Sequence, residues 1–193
     1  MTGEILPQSF YQRDTRQVAR DLLGKTLVRV EQGTRIAGRI IETEAYGGEA
    51  DLGCHCKAGK TPRTEVMYGP AGHLYVYFVY GMHWLLNIVT EEVDQPGAVL
   101  IRGLEALDGK DLIAFRRGNQ PPSRWLDGPA KICQAFGING DYNREQVFQA
   151  GAEIFVEDNS RNPDRAVLET PRIGLDSVPE PWRSIPWRYN LEP

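Results

Sequence analysis

The sequence predicts an α+β fold: a single domain over residues 1–193, built on a mainly antiparallel sheet with helices grouped around it. Three observations carry this. Short alternating segments come in pairs joined by turn residues, as at Gln32-Gly33 and Tyr80-Gly81, which reads as hairpins. Helical spacing of apolar residues is confined to stretches before and after the central hairpin. A chain of 193 residues, 41% hydrophobic and 25% charged, suits one domain with a sizeable core.

The elements follow in order. Asp14 is placed to cap a helix whose apolar stripe is Val18, Ala19, Leu22 and Leu23, with Gly24 as its stop. Lys25–Val30 and Arg35–Glu44 alternate on either side of Gln32-Gly33 and form the first hairpin. Residues 47–72, rich in glycine and polar residues, read as a long functional loop. His73–Tyr80 alternates, with Tyr75, Tyr77 and Val79 on one face and Leu74, Val76, Phe78 and Tyr80 on the other. Tyr80-Gly81-Met82-His83 forms the tip of a protruding hairpin that returns through Trp84–Thr90. Glu91–Gly97 is a polar loop, and Ala98–Leu104 is a strand that delivers Arg102. Leu107–Arg116 reads as a helix broken at Gln120-Pro121-Pro122. Gly128–Phe136 reads as another, with Pro129 at its first turn and Gly137 past its end. Ala152–Val156 is a short strand, Glu157–Arg165 a loop, Thr170–Gly174 a last short strand and Pro186–Tyr189 a packed aromatic tail.

Composition narrows the function. No apolar run approaches the roughly 18 residues of a membrane span, so no membrane partner is expected, and the N-terminus lacks a signal-peptide pattern. Three cysteines without a disulfide-framework spacing fit a reducing cytosol. A net charge of -4 argues mildly against nucleic acid as a partner. Any such contact would rest on local clusters, namely Lys57, Lys60 and Arg63 in one loop and the Arg116-Arg117 pair. There is no Walker lysine loop, nucleophile elbow or dinucleotide fingerprint, and no cofactor is expected.

Several side chains point to a site. Glu42 and Glu44, two apart on a strand, face one side, where burial and like charge raise a carboxylate's pKa toward proton-transfer duty; the alternative is a solvent-facing pair. Cys54-His55-Cys56 invites a zinc reading, but only Cys133, His73 and His83 remain as further ligands and none is paired, so no metal is expected and His55 reads as a hydrogen-bonding pocket group. Tyr46, Tyr68, Tyr75, Tyr77 and Tyr80 serve equally as packing, except that a ring at a hairpin tip can insert into a partner. Asn87 in an apolar strand and Arg102 at the end of another need buried partners or a cavity. A pocket of carboxylate, His, Tyr and Arg, rimmed by basic residues and carrying a projecting Tyr, suits an enzyme acting on an aromatic ring attached to a phosphate backbone.

The run ETEAY, a His nine residues after its Tyr, TPR, and G-H-L-Y-V-Y-x-x-Y-G-M-H-x-x-x-N resemble the alkyladenine (3-methyladenine) DNA glycosylase family. VLIRGLE, GPAKICQAF, PRIG and the opening SFYxRDTxxVARDLLGKTLVR extend the resemblance over roughly residues 9–190, in the family's compact bacterial-type form. It implies a curved antiparallel sheet, partly barrel-like, and a monomeric enzyme in the cytoplasm that acts on double-stranded DNA containing damaged purines. The implied reaction hydrolyses the N-glycosidic bond of 3-methyladenine, 7-methylguanine, hypoxanthine or ethenoadenine, with no lyase step. By position, Glu44 would be the general base, and Arg102 with the Ile173 carbonyl would hold the water. Tyr46 and Tyr77 would sandwich the flipped base, with His55 at its edge, Leu100 in the pocket and Asn87 rejecting the amine of guanine. Tyr80, with Met82 beside it, would wedge into the duplex. Lys57, Lys60, Arg63 and Lys131 would meet the DNA backbone. Ala130 stands where some members have Ser, Thr64 where others have Asn, and the Glu91–Gly97 loop is longer than in vertebrate members. The competing readings are a catalytically silent damaged-DNA binder on the same fold and a metal-dependent hydrolase at Cys54, His55 and Cys56.

Overall fold

A computed structural model describes residues 3–158 and 165–192. One sheet runs through it. The strands are β1 (Glu4–Ile5), β2 (Thr26–Glu31), β3 (Thr34–Gly47), β4 (Leu74–Val79), β5 (His83–Val89), β6 (Gly97–Asp108), β7 (Ile154–Asp158), β8 (Val167–Thr170) and β9 (Arg188–Leu191). Their order is β1-β7-β2-β3-β6-β5-β4, and β9 pairs with both β3 and β8. All the pairings are antiparallel. The sheet does not close on itself.

The long strand β3 is the spine. Its first half pairs with β2, nearly its whole length pairs with β6, and Glu42–Glu44 also face Asn190–Arg188 of β9. The hairpin turn between β2 and β3 holds Gln32 and Gly33 at φ 48° and 80°, the paired left-handed conformations that match strand twist. The same device closes β4–β5, with Tyr80 at φ 54° and Gly81 at φ 68°, and the Met82 N–H donating to the Val79 carbonyl at 3.2 Å.

The helices are α1 (Gln8–Tyr11), α2 (Thr15–Asp21), α3 (Lys110–Arg117) and α4 (Pro129–Phe136). Asp14 caps α2, its side chain accepting from the N–H groups of Arg16 and Gln17. Helix α2 packs on β3 and β6, α4 on β5 and β6, and α3 against α4. The main core joins these helices to the sheet through side chains such as Tyr11, Leu22, Ile40, Leu86, Ile101 and Phe136. A second, smaller core of Cys54, Cys56, Val66, Met67, Tyr68, Tyr75, Val89 and Ala98 lies under the long loop, with Tyr46 and Tyr77 packed against it. That small core packs a segment with little regular structure.

Several expectations need correction. Leu107 and Asp108 belong to β6, not to a helix: the strand continues until Gly109, at φ 70°, turns the chain where an added Cβ would lie 2.8 Å from the Arg35 carbonyl. The last short strand is Val167–Thr170 and not Thr170–Gly174, because Pro171 has no N–H to give a ladder. The aromatic tail enters the sheet as β9. The strand expected at Ala152–Val156 begins two residues later and takes in Glu157 and Asp158, so much of the loop expected over Glu157–Arg165 lies outside the described residues. The loop 47–72 contains two 3-10 turns, His55–Ala58 and Glu65–Tyr68. Cys54 and Cys56, expected as free thiols, are joined by a disulfide; the turn brings their Cα atoms to 5.3 Å, within bridging range, which spacing rules for disulfide frameworks do not anticipate.

Candidate active site

Strand β3 places Glu44 and Tyr46 on one side of the sheet, as two-residue spacing requires. The Glu44 side chain has no solvent exposure. Its Oε1 accepts the Ile173 N–H at 2.7 Å, and its Oε2 accepts the Tyr46 hydroxyl at 2.7 Å. Arg102, from β6, approaches the same carboxylate, with Nε 3.4 Å from Oε1. Burial pushes the Glu44 carboxyl above the usual carboxylate range, against the pull of the Arg102 charge and the Tyr46 and Ile173 donors.

Glu42 also reaches Arg102, at 2.9 Å, and Arg188, at 3.0 Å. The two glutamates therefore converge on one guanidinium despite the irregular β3–β6 register around Glu42. Burial works against the Arg102 charge, but the carboxylates of Glu44 and Glu42 outweigh it and hold the group protonated.

These residues back a cavity of about 350 Å³, toward the small end of ligand sites. Its wall includes Tyr46, His55, Tyr75, Tyr77, Asn87, Leu100, Arg102 and Ile173, with Tyr80 and His83 from the hairpin. Glu44 lies just behind, touching three of them. His55 Nδ1 and the Tyr75 hydroxyl share a hydrogen bond at 2.9 Å, and the His55 ring meets Tyr77 edge to face at 4.6 Å. Burial, then the charges of Arg63 and Lys57, lower the His55 pKa to about 4, so its ring is neutral. Asn87, buried beside Tyr75, donates from Nδ2 to the Tyr75 carbonyl at 3.1 Å. Its partner on β6 is Leu100, and both line the cavity.

Tyr80 is 85% exposed and Met82 67%, so the hairpin presents bare apolar groups at the cavity mouth. The expected backbone cations are less uniform. Lys57 and Lys60 are exposed, Lys60 facing Asp94 at 3.5 Å. Lys131 is tied to Asp127 at 2.6 Å, and Arg63 lies over the Tyr77 ring at 5.2 Å, as part of the pocket surround. The Glu91–Gly97 loop folds back onto α2, where Glu91 accepts from the Thr15 N–H at 2.7 Å. Among the described residues, no group of three or more His, Cys, Asp and Glu side chains is placed to hold a metal, and no helix is long and apolar enough to cross a membrane.

Met67, Gly53 and Arg172 escaped sequence reasoning, and Tyr75, grouped there with the other tyrosines on the strand face of Tyr77, was given no role of its own. Arg172 carried no signal, because its partner Asp51 is 121 residues away.

Comparison with known proteins identifies the family. The model of the family described as methylpurine-DNA glycosylase matches residues 9–193. A Myxococcus xanthus protein named "Putative 3-methyladenine DNA glycosylase" is 44% identical over 183 residues, covering 95% of this chain and 88% of its own length. A Methanocella arvoryzae protein with the same name is 45% identical over 184 residues, covering 93% of this chain and 90% of its own. These matches, over nearly the whole of a chain with the fold described above, lead to one conclusion: the chain belongs to the methylpurine-DNA glycosylase family.

Proposed function

We propose that this protein is a monofunctional DNA glycosylase, acting as a monomer, that removes alkylated or deaminated purines from duplex DNA by hydrolysis. The observation that carries the reading is the buried Glu44, gripped by Tyr46, Arg102 and Ile173 behind an aromatic cavity whose mouth bears an exposed tyrosine.

The damaged nucleotide leaves the stack and Tyr80 fills the gap. Extrusion costs a few kcal/mol and is cheapest for damaged or mispaired bases. Stacking on Tyr46 and Tyr77 returns about 1–3 kcal/mol per base and offsets much of that cost. His55, neutral, sits at the base edge, and Asn87 on the floor opposes the amine of guanine.

A water held near Arg102 and the Ile173 backbone attacks C1′ of the sugar. Its proton passes to Glu44, the C1′–N bond breaks, and the bonding electron pair leaves with the base. A cationic alkylated purine departs as a neutral base. Neutral hypoxanthine or ethenoadenine takes up a proton on leaving. No lysine Schiff base takes part, so the strand stays intact at the abasic site. Net charge opposes general phosphate binding, so Lys57, Lys60, Arg63 and Lys131 supply a local cationic rim.

The test is single-turnover reaction with duplexes carrying one hypoxanthine or ethenoadenine. Release of free base, with a strand cleaved only by later alkali, is the expected result. Tight lesion binding without release makes the protein a damage reader, and one equivalent of zinc with activity lost to chelation makes it a metal-dependent hydrolase.

A further inference from the structure

Behind the cavity wall, Arg172 and Asp51 form an ion pair in which neither side chain is exposed. Two bonds join them, Nη1 to Oδ2 at 2.5 Å and Nη2 to Oδ1 at 2.8 Å, the planar fork-to-carboxylate geometry that fixes orientation as well as distance. The same guanidinium donates to the carbonyls of Ala45 at 3.0 Å and Trp182 at 3.3 Å, and lies 4.7 Å from the centre of the Tyr46 ring. Gly53 makes room for the pair: an added Cβ would lie 2.8 Å from Arg172 Nη2 and 2.7 Å from Leu175. Its φ lies outside the left-handed region, so space and not backbone freedom requires the glycine.

A buried ion pair is weak evidence for stability, since apolar packing of similar volume often does as well. What this one fixes is more informative. Arg172 immediately precedes Ile173, whose N–H is a donor to Glu44. It also lies against Tyr46, whose hydroxyl is the other neutral donor to Glu44. Asp51 belongs to the loop whose Gly53, Cys54 and His55 line the cavity, and it accepts the Gly53 N–H at 2.9 Å.

We propose that the Arg172–Asp51 pair is the positioning device for the Glu44 carboxylate, locking the 171–174 turn and the Tyr46 ring so that both neutral donors converge on it. The proposal rests on the assignment of Glu44 as the base. Arg172 and Asp51 are positioning residues, and neither touches the substrate.

The experiment uses Asp51→Asn, Gly53→Ala and Arg172→Lys in the full chain, with two readouts. The first is 13C titration of the Glu44 carboxyl without DNA, its signal assigned by loss in Glu44→Gln. The second is single-turnover base release against pH, alongside lesion affinity. Loosened donors raise the Glu44 pKa by about one unit, the size expected when a hydrogen bond to a charged group is lost. In Asp51→Asn and Gly53→Ala the rate at neutral pH falls about tenfold or more, as for a displaced catalytic group, and in Asp51→Asn the affinity is nearly unchanged. Arg172→Lys keeps the charge but loses the fork, and is intermediate. Lower thermal stability with an unmoved Glu44 titration and a wild-type rate overturns the proposal. Should single changes unfold the protein, the neutral pair Asp51→Asn/Arg172→Gln decides: a wild-type Glu44 titration there overturns it. If wild type releases no base but the titration shifts, the glycosylase reading fails and the positioning role stands.

Discussion

The Tyr46 hydroxyl donates a 2.7 Å hydrogen bond to Oε2 of Glu44, two residues back on the same strand. Strand periodicity puts both side chains on one side, so the ring proposed to stack on the base also orients the proposed base catalyst. Tyr46→Phe keeps the ring and removes the donor. A hydrogen bond to a charged group is worth about 1.5–3 kcal/mol, so the rate at neutral pH should fall roughly tenfold or more. Its acid limb should move to higher pH, with lesion affinity nearly unchanged. An unmoved acid limb in the pH–rate profile contradicts this.

Burial raises the Glu44 pKa, and that sets two trends of opposite sign. Base release needs the carboxylate, so the rate should rise with pH through a midpoint above the ordinary carboxylate range. Stability runs the other way. A raised folded pKa means the native state holds the proton more tightly than the unfolded chain; the stabilising contribution is full below the unfolded pKa and is lost as pH rises through the folded one. Glu44→Gln should therefore gain thermal stability relative to wild type as pH rises from about 4 toward neutral. A stability difference independent of pH removes the argument.

His55 obeys the reverse rule. Its pKa falls from 6.5 to about 4 in the folded protein, chiefly through burial. The neutral ring contributes fully above 6.5, and stability is lost as pH falls from there toward about 4. His55→Phe should flatten that part of the stability–pH curve, as measured by thermal unfolding; an unchanged slope places the acid sensitivity elsewhere.

Tyr80 sits at φ 54° with its ring almost bare to solvent, two costs that packing does not repay. Tyr80→Gly should stabilise the free protein by about 1 kcal/mol through relief of the left-handed backbone. It should also weaken extrusion, as should Tyr80→Ser, seen as loss of the fluorescence change of a flipped ethenoadenine. Unimpaired flipping in both would refute the wedge.

Asn87 is held by one bond to the Tyr75 carbonyl. Asn87→Ala should cost about 1 kcal/mol of stability and enlarge the cavity floor, so excision of normal guanine should become measurable beside hypoxanthine. Unaltered selectivity would remove its proposed gatekeeping.

The hairpins of the sheet were legible from the pattern of residue types, even though consecutive residues of β2, β4 and β5 are buried on both faces. Alternation in β2, β3, β4 and β5 and the residue pairs Gln32-Gly33 and Tyr80-Gly81 placed both hairpins. It failed where a single residue outweighs pattern: Gly109 postponed α3 and Pro171 ended β8. The candidate site divides the same way. Glu44 and Tyr46 share a strand and could be paired by counting, whereas Arg102, Ile173 and Asp51 reach the cluster only through tertiary folding. His55 was visible as a pocket group, but its bond to Tyr75 depends on a 3-10 turn that no periodicity announces.

The central claim is that Glu44 activates the water. Single-turnover release of ethenoadenine and hypoxanthine from duplex DNA by wild type and Glu44→Gln tests it directly. Loss of a general base should lower the rate about 100-fold or more, with lesion binding retained. Turnover by Glu44→Gln at the wild-type rate would contradict the account.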